Sequence, residues 1–245
     1  MSTGDKLRPE ALQKAIVDLA GRGVHGPQLG PVSLTQVSEK GTVYTLDEID
    51  VIVAIAKAYG MPVHMDGARF ANALIALNCS PAEMTWKRGI DALSFGCSKN
   101  GLMSAETVIF FDPSCAWEFE LQRKRAGHLF SKYRFLSAQI KGYLENDLWL
   151  TLARKANENA TYLADQLSAL SYVTFDYPQE ANMTFVNFPR KFHRRAVKAG
   201  ATYHFYGKSL DDYGPDDEVL HARLVCDWSI KNSDIDRFVR LISAN

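Results

Sequence analysis

The stretch PVHMDGARF, residues 62–70, constrains this chain more than any other, because a run with strand character ends directly on Asp66, with Arg69 three positions later. A buried carboxylate is costly unless it is paired. The strand must therefore deliver Asp66 to a place where its charge is used or compensated. Upstream, PVSLTQ (31–36) reads as a second short strand, and TLDEIDVIVAIAKAYG, between the two, as a helix. Thr45 and Glu48 stand at capping-box spacing, Ile49, Ile52, Val53 and Ala56 share one helical face, and Gly60 stops the pattern. Strand, helix, strand over this length is a βαβ unit, so the two strands should be parallel.

Beyond Asp66 the spacing predicts a helix with Phe70, Leu74 and Leu77 on one face, then a helical turn begun by SPAE (80–83) with Pro81 at its first position. In DALSFGCSKNG, the bulky Leu93, Phe95 and Cys97 alternate with the small Ala92, Ser94 and Gly96, as on a strand with two different faces. The apolar run ETVIFF (106–111) begins only seven residues after Lys99. A parallel crossover needs about a dozen residues or more, so this strand should run antiparallel. From 116 to 169 the pattern is helical. After Ser171 come the strand candidates VTFDY, MTFVNF, TYHFY and RLVCDW, the helix HRRAVKAG and a final helix, SDIDRFVRLI, with Ser233 as its cap. The expected fold is α/β: a mixed, mostly parallel sheet with helices over residues 1–147, then a small α+β domain over 148–245.

Composition narrows the function classes. Twenty-eight basic residues balance twenty-eight acidic ones, which removes the simplest argument for nucleic acid. The one dense basic run, QRKRAGH (122–128), reads as a solvated helix face. Cys79, Cys97, Cys115 and Cys226 are scattered without CxxC spacing, so no metal site or disulfide framework is expected, and a reducing cytoplasm is the default. No run approaches the roughly 18 apolar residues of a membrane span, and MSTGDKLRPEAL lacks a signal-peptide core.

The chemistry gathers at strand ends. Asp66 and Lys99 each follow a strand that should be parallel, and in open α/β sheets ligands bind at that carboxyl edge. One cofactor uses this pair directly: pyridoxal 5'-phosphate forms a Schiff base with a lysine, and an aspartate keeps its pyridine nitrogen protonated. An ordinary loop aspartate paired with Arg69, beside an exposed lysine, is the competing explanation.

HMDGARFANALIAL followed by DALSFGCSKNG resembles the low-specificity threonine aldolases, pyridoxal-phosphate enzymes of the aspartate aminotransferase fold (fold type I). VSLTQVSEKGTVYTLDEI and RAGHLFSKYRFLSAQ are similar to the bacterial branch of that family, and the likeness runs from about Lys6 to the C-terminus. The resemblance implies that Lys99 is the Schiff-base lysine and Asp66 the partner of the pyridine nitrogen. It implies that Arg69 and Arg223 bind the substrate carboxylate, and that Ser98 and Arg134 approach the cofactor phosphate or the substrate. The implied reaction cleaves threonine-type β-hydroxy-α-amino acids to glycine and an aldehyde, in a homodimer or homotetramer. β-Elimination or transamination on the same fold is the near alternative, and a non-catalytic binding or assembly protein the distant one.

The family pattern also includes a segment ahead of the KLRPEAL equivalent, with strands of the sheet, a phosphate-cradling loop and a ring-stacking side chain. Relative to that pattern the chain is expected to be N-terminally truncated, and the glycine-rich GRGVHGPQLG (21–30) reads as a connecting loop. His64, which shares a strand face with Asp66, and His128 are the histidines open to a role as base; the competing reading makes His64 a core histidine and His128 a structural one.

Overall fold

A computed structural model describes residues 6–243. The chain divides into two compact units. The first comprises residues up to Glu39 together with Val43–Leu150; the second comprises Lys40–Thr42 and the residues from Thr151 onward.

The first unit is built on a sheet of order β1-β2-β3-β4: β1 (Val32–Thr35), β2 (Val63–Gly67), β3 (Ala92–Gly96) and β4 (Glu106–Phe110). β1, β2 and β3 are parallel, and β4 returns antiparallel to β3, as the short connection after Lys99 requires. Helix α1 (Pro9–Ala20) precedes the sheet. Helix α2 (Leu46–Ala58) joins β1 to β2 and begins with a complete capping box, in which the Thr45 hydroxyl accepts the Glu48 N–H and the Glu48 carboxylate accepts the Thr45 N–H. It ends where Gly60 takes a φ of 67°, open to glycine at no steric cost. Its buried residues are Ile49, Ile52, Val53 and Ala56, the face that the periodicity predicts. Helices α3 (Phe70–Leu77) and α4 (Pro81–Met84) lead into β3, α4 with its own Ser80–Glu83 capping box.

The two faces of this sheet differ. Val32, Leu34, Val63, Met65, Leu93 and Phe95 are buried on one, continued by an aromatic cluster in which Phe95 meets Phe70 at 5.8 Å and Trp149 at 5.5 Å between ring centroids. Ser33, Thr35, His64, Asp66, Ala92 and Ser94 occupy the other, none of them fully buried. After β4 come α5 (Ala116–Arg125), α6 (Arg134–Leu144) and α7 (Leu148–Ser168), the last lying mostly in the second unit.

The second unit carries an antiparallel sheet of order β5-β6-β8-β7, with β5 (Thr174–Phe175), β6 (Met183–Pro189), β7 (His204–Tyr206) and β8 (Val219–Val225). Its core joins Val186, Phe188, Ala222 and Leu224 to Leu163 and Leu167 of α7, Phe192 and Ala196 of α8 (Arg190–Lys198), and Ile235 and Ile242 of α9 (Asn232–Ile242). Two boundaries differ from the sequence expectation. Helix α8 starts at Arg190 because the carbonyls of Glu218 and Asp216 take the Arg190 and Lys191 amides at 2.8 and 2.9 Å, a cap supplied from afar. Ser233 lies inside α9 and does not cap it; Lys231 holds the cap position and donates its N–H to the Asp234 carboxylate at 3.4 Å.

Candidate active site

Asp66 and Lys99 arrive at the same edge of the first sheet on neighbouring parallel strands. Asp66 is the fourth residue of β2 and stands opposite Ser94 of β3, and Lys99 follows β3 by three residues, on a single 3-10 turn, Ser98–Asn100. Asp66 is half-buried. One oxygen of its carboxylate accepts the Ala68 N–H at 3.0 Å, and it makes no ion pair with Arg69 or any other described residue. The ordinary loop aspartate paired with Arg69 is therefore not what the chain builds. Lys99 is exposed, and its amine has no hydrogen-bond or ion-pair partner among the described residues.

The turn beneath that amine is firmly held. Asn100 is buried and donates to the Tyr143 hydroxyl at 2.6 Å and to the Trp149 carbonyl at 2.8 Å. The two oxygens of Glu106 accept the Cys97 N–H at 2.8 Å and the Ser98 N–H at 3.3 Å. Burial, reinforced by the Glu106 charge, pushes the Cys97 thiol up to about 12, so it is no nucleophile at neutral pH. Close packing brings the two strand ends together: a Cβ on Gly96 would lie 2.5 Å from the Ala68 Cα and 2.7 Å from its oxygen. Only glycine fits there.

Ser98 is committed locally, its hydroxyl donating weakly to the Ala105 carbonyl at 3.5 Å. Arg69 is half-buried at the N-cap of α3. Arg134 opens α6, exposed, with its guanidinium 5.0 Å from the Phe135 ring centre and no hydrogen bond to Asp66, Ser98 or Lys99. His64 bridges three strands, one ring nitrogen 2.8 Å from the Ser33 hydroxyl and the other 2.9 Å from that of Ser94. His128 is exposed, on the rim of a cavity of about 670 Å³ between β4, α5 and α6. The basic run lies mostly exposed, as a solvated helix face would, with Arg123 the exception. Arg123 is half-buried in that cavity, 5.2 Å from the Tyr133 ring centre, and its Nε has no partner.

In the second unit, Arg223 sits mid-way along β8, paired with Phe185 on one side and His204 on the other. It is half-buried, its Nε is buried without a hydrogen-bond partner, and no carboxylate of the described residues neutralises it. Among the described residues no group of side chains is placed to hold a metal ion, and no helix is long and apolar enough to cross a membrane. Glu106 and Asn100 were missed by sequence reasoning. Glu106 could have been found by laying ETVIFF antiparallel on DALSFG, which puts it opposite Gly96.

A mixed, mostly parallel sheet with a carboxylate and a free lysine at the ends of adjacent parallel strands defines a class that the comparisons make specific. The model of the beta-eliminating lyase family matches residues 1–189, and the chain belongs to that family. It is 38% identical over 233 residues to a low specificity L-threonine aldolase of Pseudomonas aeruginosa, covering 95% of this chain and 63% of that protein. It is 37% identical to a second such protein from a Pseudomonas species, covering 96% and 64%. The chain thus spans less than two thirds of the length of these curated relatives. Among solved structures it resembles a Leishmania major threonine aldolase with a TM-score of 0.86 at 23% identity, covering 97% of this chain and 66% of that one. It also resembles a pyridoxal-phosphate-bound putative aminotransferase of Clostridium difficile, TM-score 0.68 at 15% identity, covering 99% and 62%. These two likenesses establish the shared fold.

Proposed function

We propose that this chain carries the pyridoxal-phosphate machinery for retro-aldol cleavage of β-hydroxy-α-amino acids of the threonine and allo-threonine type, yielding glycine and an aldehyde. The observation that carries this reading is the juxtaposition, at one sheet edge, of the Asp66 carboxylate without an ion pair and the Lys99 amine without any partner. The names of the Pseudomonas relatives support the choice of substrate. The reading extends to a homodimer or homotetramer in the cytoplasm.

The donor set fits the cofactor. An aldehyde needs an amine, here Lys99, and a pyridine nitrogen that is to stay protonated needs an anion, here Asp66. When bound, the group supplies an electrophilic carbon and a ring that accepts the electron pair of a breaking bond. The chain's own residues supply binding and orientation. Asp66 keeps a proton at the ring nitrogen; Arg69 and Arg223 hold the amino-acid carboxylate, with the forked geometry of a guanidinium matched to that group. Ser98 and Arg134 approach the cofactor phosphate or the substrate, for which the Ser98 hydroxyl must first leave its weak bond to Ala105. His64 shares the strand face of Asp66 and can hold a proton on either ring nitrogen, because a serine hydroxyl faces each.

The family description favours one second reading, β-elimination. Incubation of the purified chain with pyridoxal phosphate and L-threonine or L-allo-threonine separates the possibilities. Glycine with acetaldehyde supports the aldol reading, and 2-oxobutanoate with ammonia supports elimination. Neither product from a folded chain identifies a non-catalytic relative.

A further inference from the structure

We propose that Glu106 is the positioning residue for Lys99, a role that rests on Lys99 being the reactive amine of the proposed function. Glu106 begins β4 and lies opposite Gly96, the last residue of β3. Beyond that pair the ladder ends, because the chain curls into the Lys99 turn. The amides of Cys97 and Ser98 therefore have no strand carbonyl to meet. Glu106 supplies the missing rung from its side chain, one carboxylate oxygen for each amide, at 2.8 and 3.3 Å. Consecutive amides facing one way form a natural seat for an anion, and bonds to a charged acceptor are stronger than neutral ones. Cys97 is fully buried, so loss of the carboxylate would strand its N–H away from water.

Lys99 lies between two anchors. On one side Glu106 holds residues 97 and 98; on the other the Asn100 side chain is gripped by Tyr143 and Trp149. The main chain at residue 99 is fixed by its neighbours while the amine stays unpartnered. A lysine that must meet a carbonyl in one orientation needs this arrangement, since a small misplacement costs rate.

The test compares the 245-residue chain with its Glu106→Gln and Glu106→Asp variants in three measurements. The first is amide hydrogen exchange across residues 92–101. The second is the rate of Lys99 modification by trinitrobenzenesulfonate without cofactor, mapped by mass spectrometry. The third is the rate of the borohydride-stable adduct at Lys99 with pyridoxal phosphate. Glu106→Gln keeps one acceptor oxygen but sets an N–H₂ against the other amide. It should speed exchange at 97–101 about tenfold, the scale of one lost charge-assisted hydrogen bond, with 92–95 unchanged. Modification at Lys99 should change in step, adduct formation should slow about tenfold, and Glu106→Asp should lie between. Unchanged exchange at 97–101, or equal loosening of 92–95, would overturn the proposal. So would adduct formation in Glu106→Gln as fast as in the wild type. If the wild type forms no adduct while Glu106→Gln still loosens 97–101 and alters Lys99 modification, the positioning stands and the cofactor reading falls.

Discussion

Asp66 faces Ser94 across the parallel pairing of β2 and β3, and the chain reaches Lys99 five residues beyond Ser94. The register of two strands thus brings the carboxylate and the amine to one sheet edge, although 33 positions separate them in sequence. If these are the two ends of a cofactor grip, they should fail differently. Lys99→Ala should abolish the borohydride-stable adduct with pyridoxal phosphate. Asp66→Asn should still form it but lose roughly 100-fold or more in turnover, the scale of removing one preorganised charge from a site. Absorption spectra and steady-state kinetics on the two variants check this; an adduct undiminished in Lys99→Ala would remove that residue from its role.

Arg223 has no carboxylate partner among the described residues and a buried Nε without an acceptor. Arg223→Ala should raise the KM for the amino acid by about thirtyfold, or roughly 2 kcal/mol, the cost of breaking one buried charge-assisted pair. Cofactor trapping at Lys99 should be unaffected. A KM that stays put would show that the carboxylate is held elsewhere.

Gly96 lets the ends of β2 and β3 close up, with no room for a methyl group beside the Ala68 backbone. Gly96→Ala should lower stability by about 1–3 kcal/mol, because overpacking against main chain forces the strands apart. Urea unfolding measures the loss. The same displacement should separate Asp66 from Lys99, so adduct formation should fall further than stability alone predicts.

His193 of α8 is fully buried, stacked 3.6 Å from the Phe188 ring, with a nitrogen 3.0 Å from the Tyr203 hydroxyl. Burial lowers its imidazole from 6.5 to about 4. The unfolded chain therefore takes up a proton as pH falls through 6.5, while the folded chain resists until about 4. Stability from this group is complete above 6.5 and declines toward pH 4, by about 3 kcal/mol. Urea midpoints measured between pH 7.5 and 4.5 should show that slope, and His193→Gln should flatten it.

Arg190 is wholly buried, and its guanidinium meets the Glu218 carboxylate and the carbonyls of Ser209, Leu210 and Asp212. Arg190→Met would take a donor from all four acceptors, leaving the Leu210 and Asp212 carbonyls without another hydrogen bond among the described residues, while Glu218 keeps Lys208 and the Ser209 carbonyl keeps the Asp212 N–H. The expected cost is about 3 kcal/mol or more, with the 207–218 segment the first to become susceptible to proteolysis.

What could be read from the sequence were features with a local signature. The Thr45–Glu48 box, the face of α2 and the turn at Gly60 announce a helix by themselves, and the short link between Lys99 and β4 dictates an antiparallel return. Asp66 and Lys99 could be placed because each lies at the end of such an element. Contacts between residues far apart in sequence left no such trace. His64 meets serines 31 and 30 positions away, Arg190 meets Glu218 at a distance of 28, and the start of α8 is set by carbonyls beyond residue 215. Glu106 became visible only once the register was known. The assignments of Arg69, Arg223, Ser98 and Arg134 came from family likeness, since nothing in their spacing identifies a carboxylate or phosphate ligand.

The antiparallel return after Lys99 has a consequence for how such a site can change over time. Both flanks of the amine belong to a single hairpin, Ala92–Phe110, whose strands fasten to each other. Most of the lysine's address is thus written in some twenty consecutive residues, with Tyr143 and Trp149 supplying the rest through Asn100. Change in the outer loops would leave that address intact, whereas change at Tyr143 of α6 or Trp149 of α7 would reach it through Asn100.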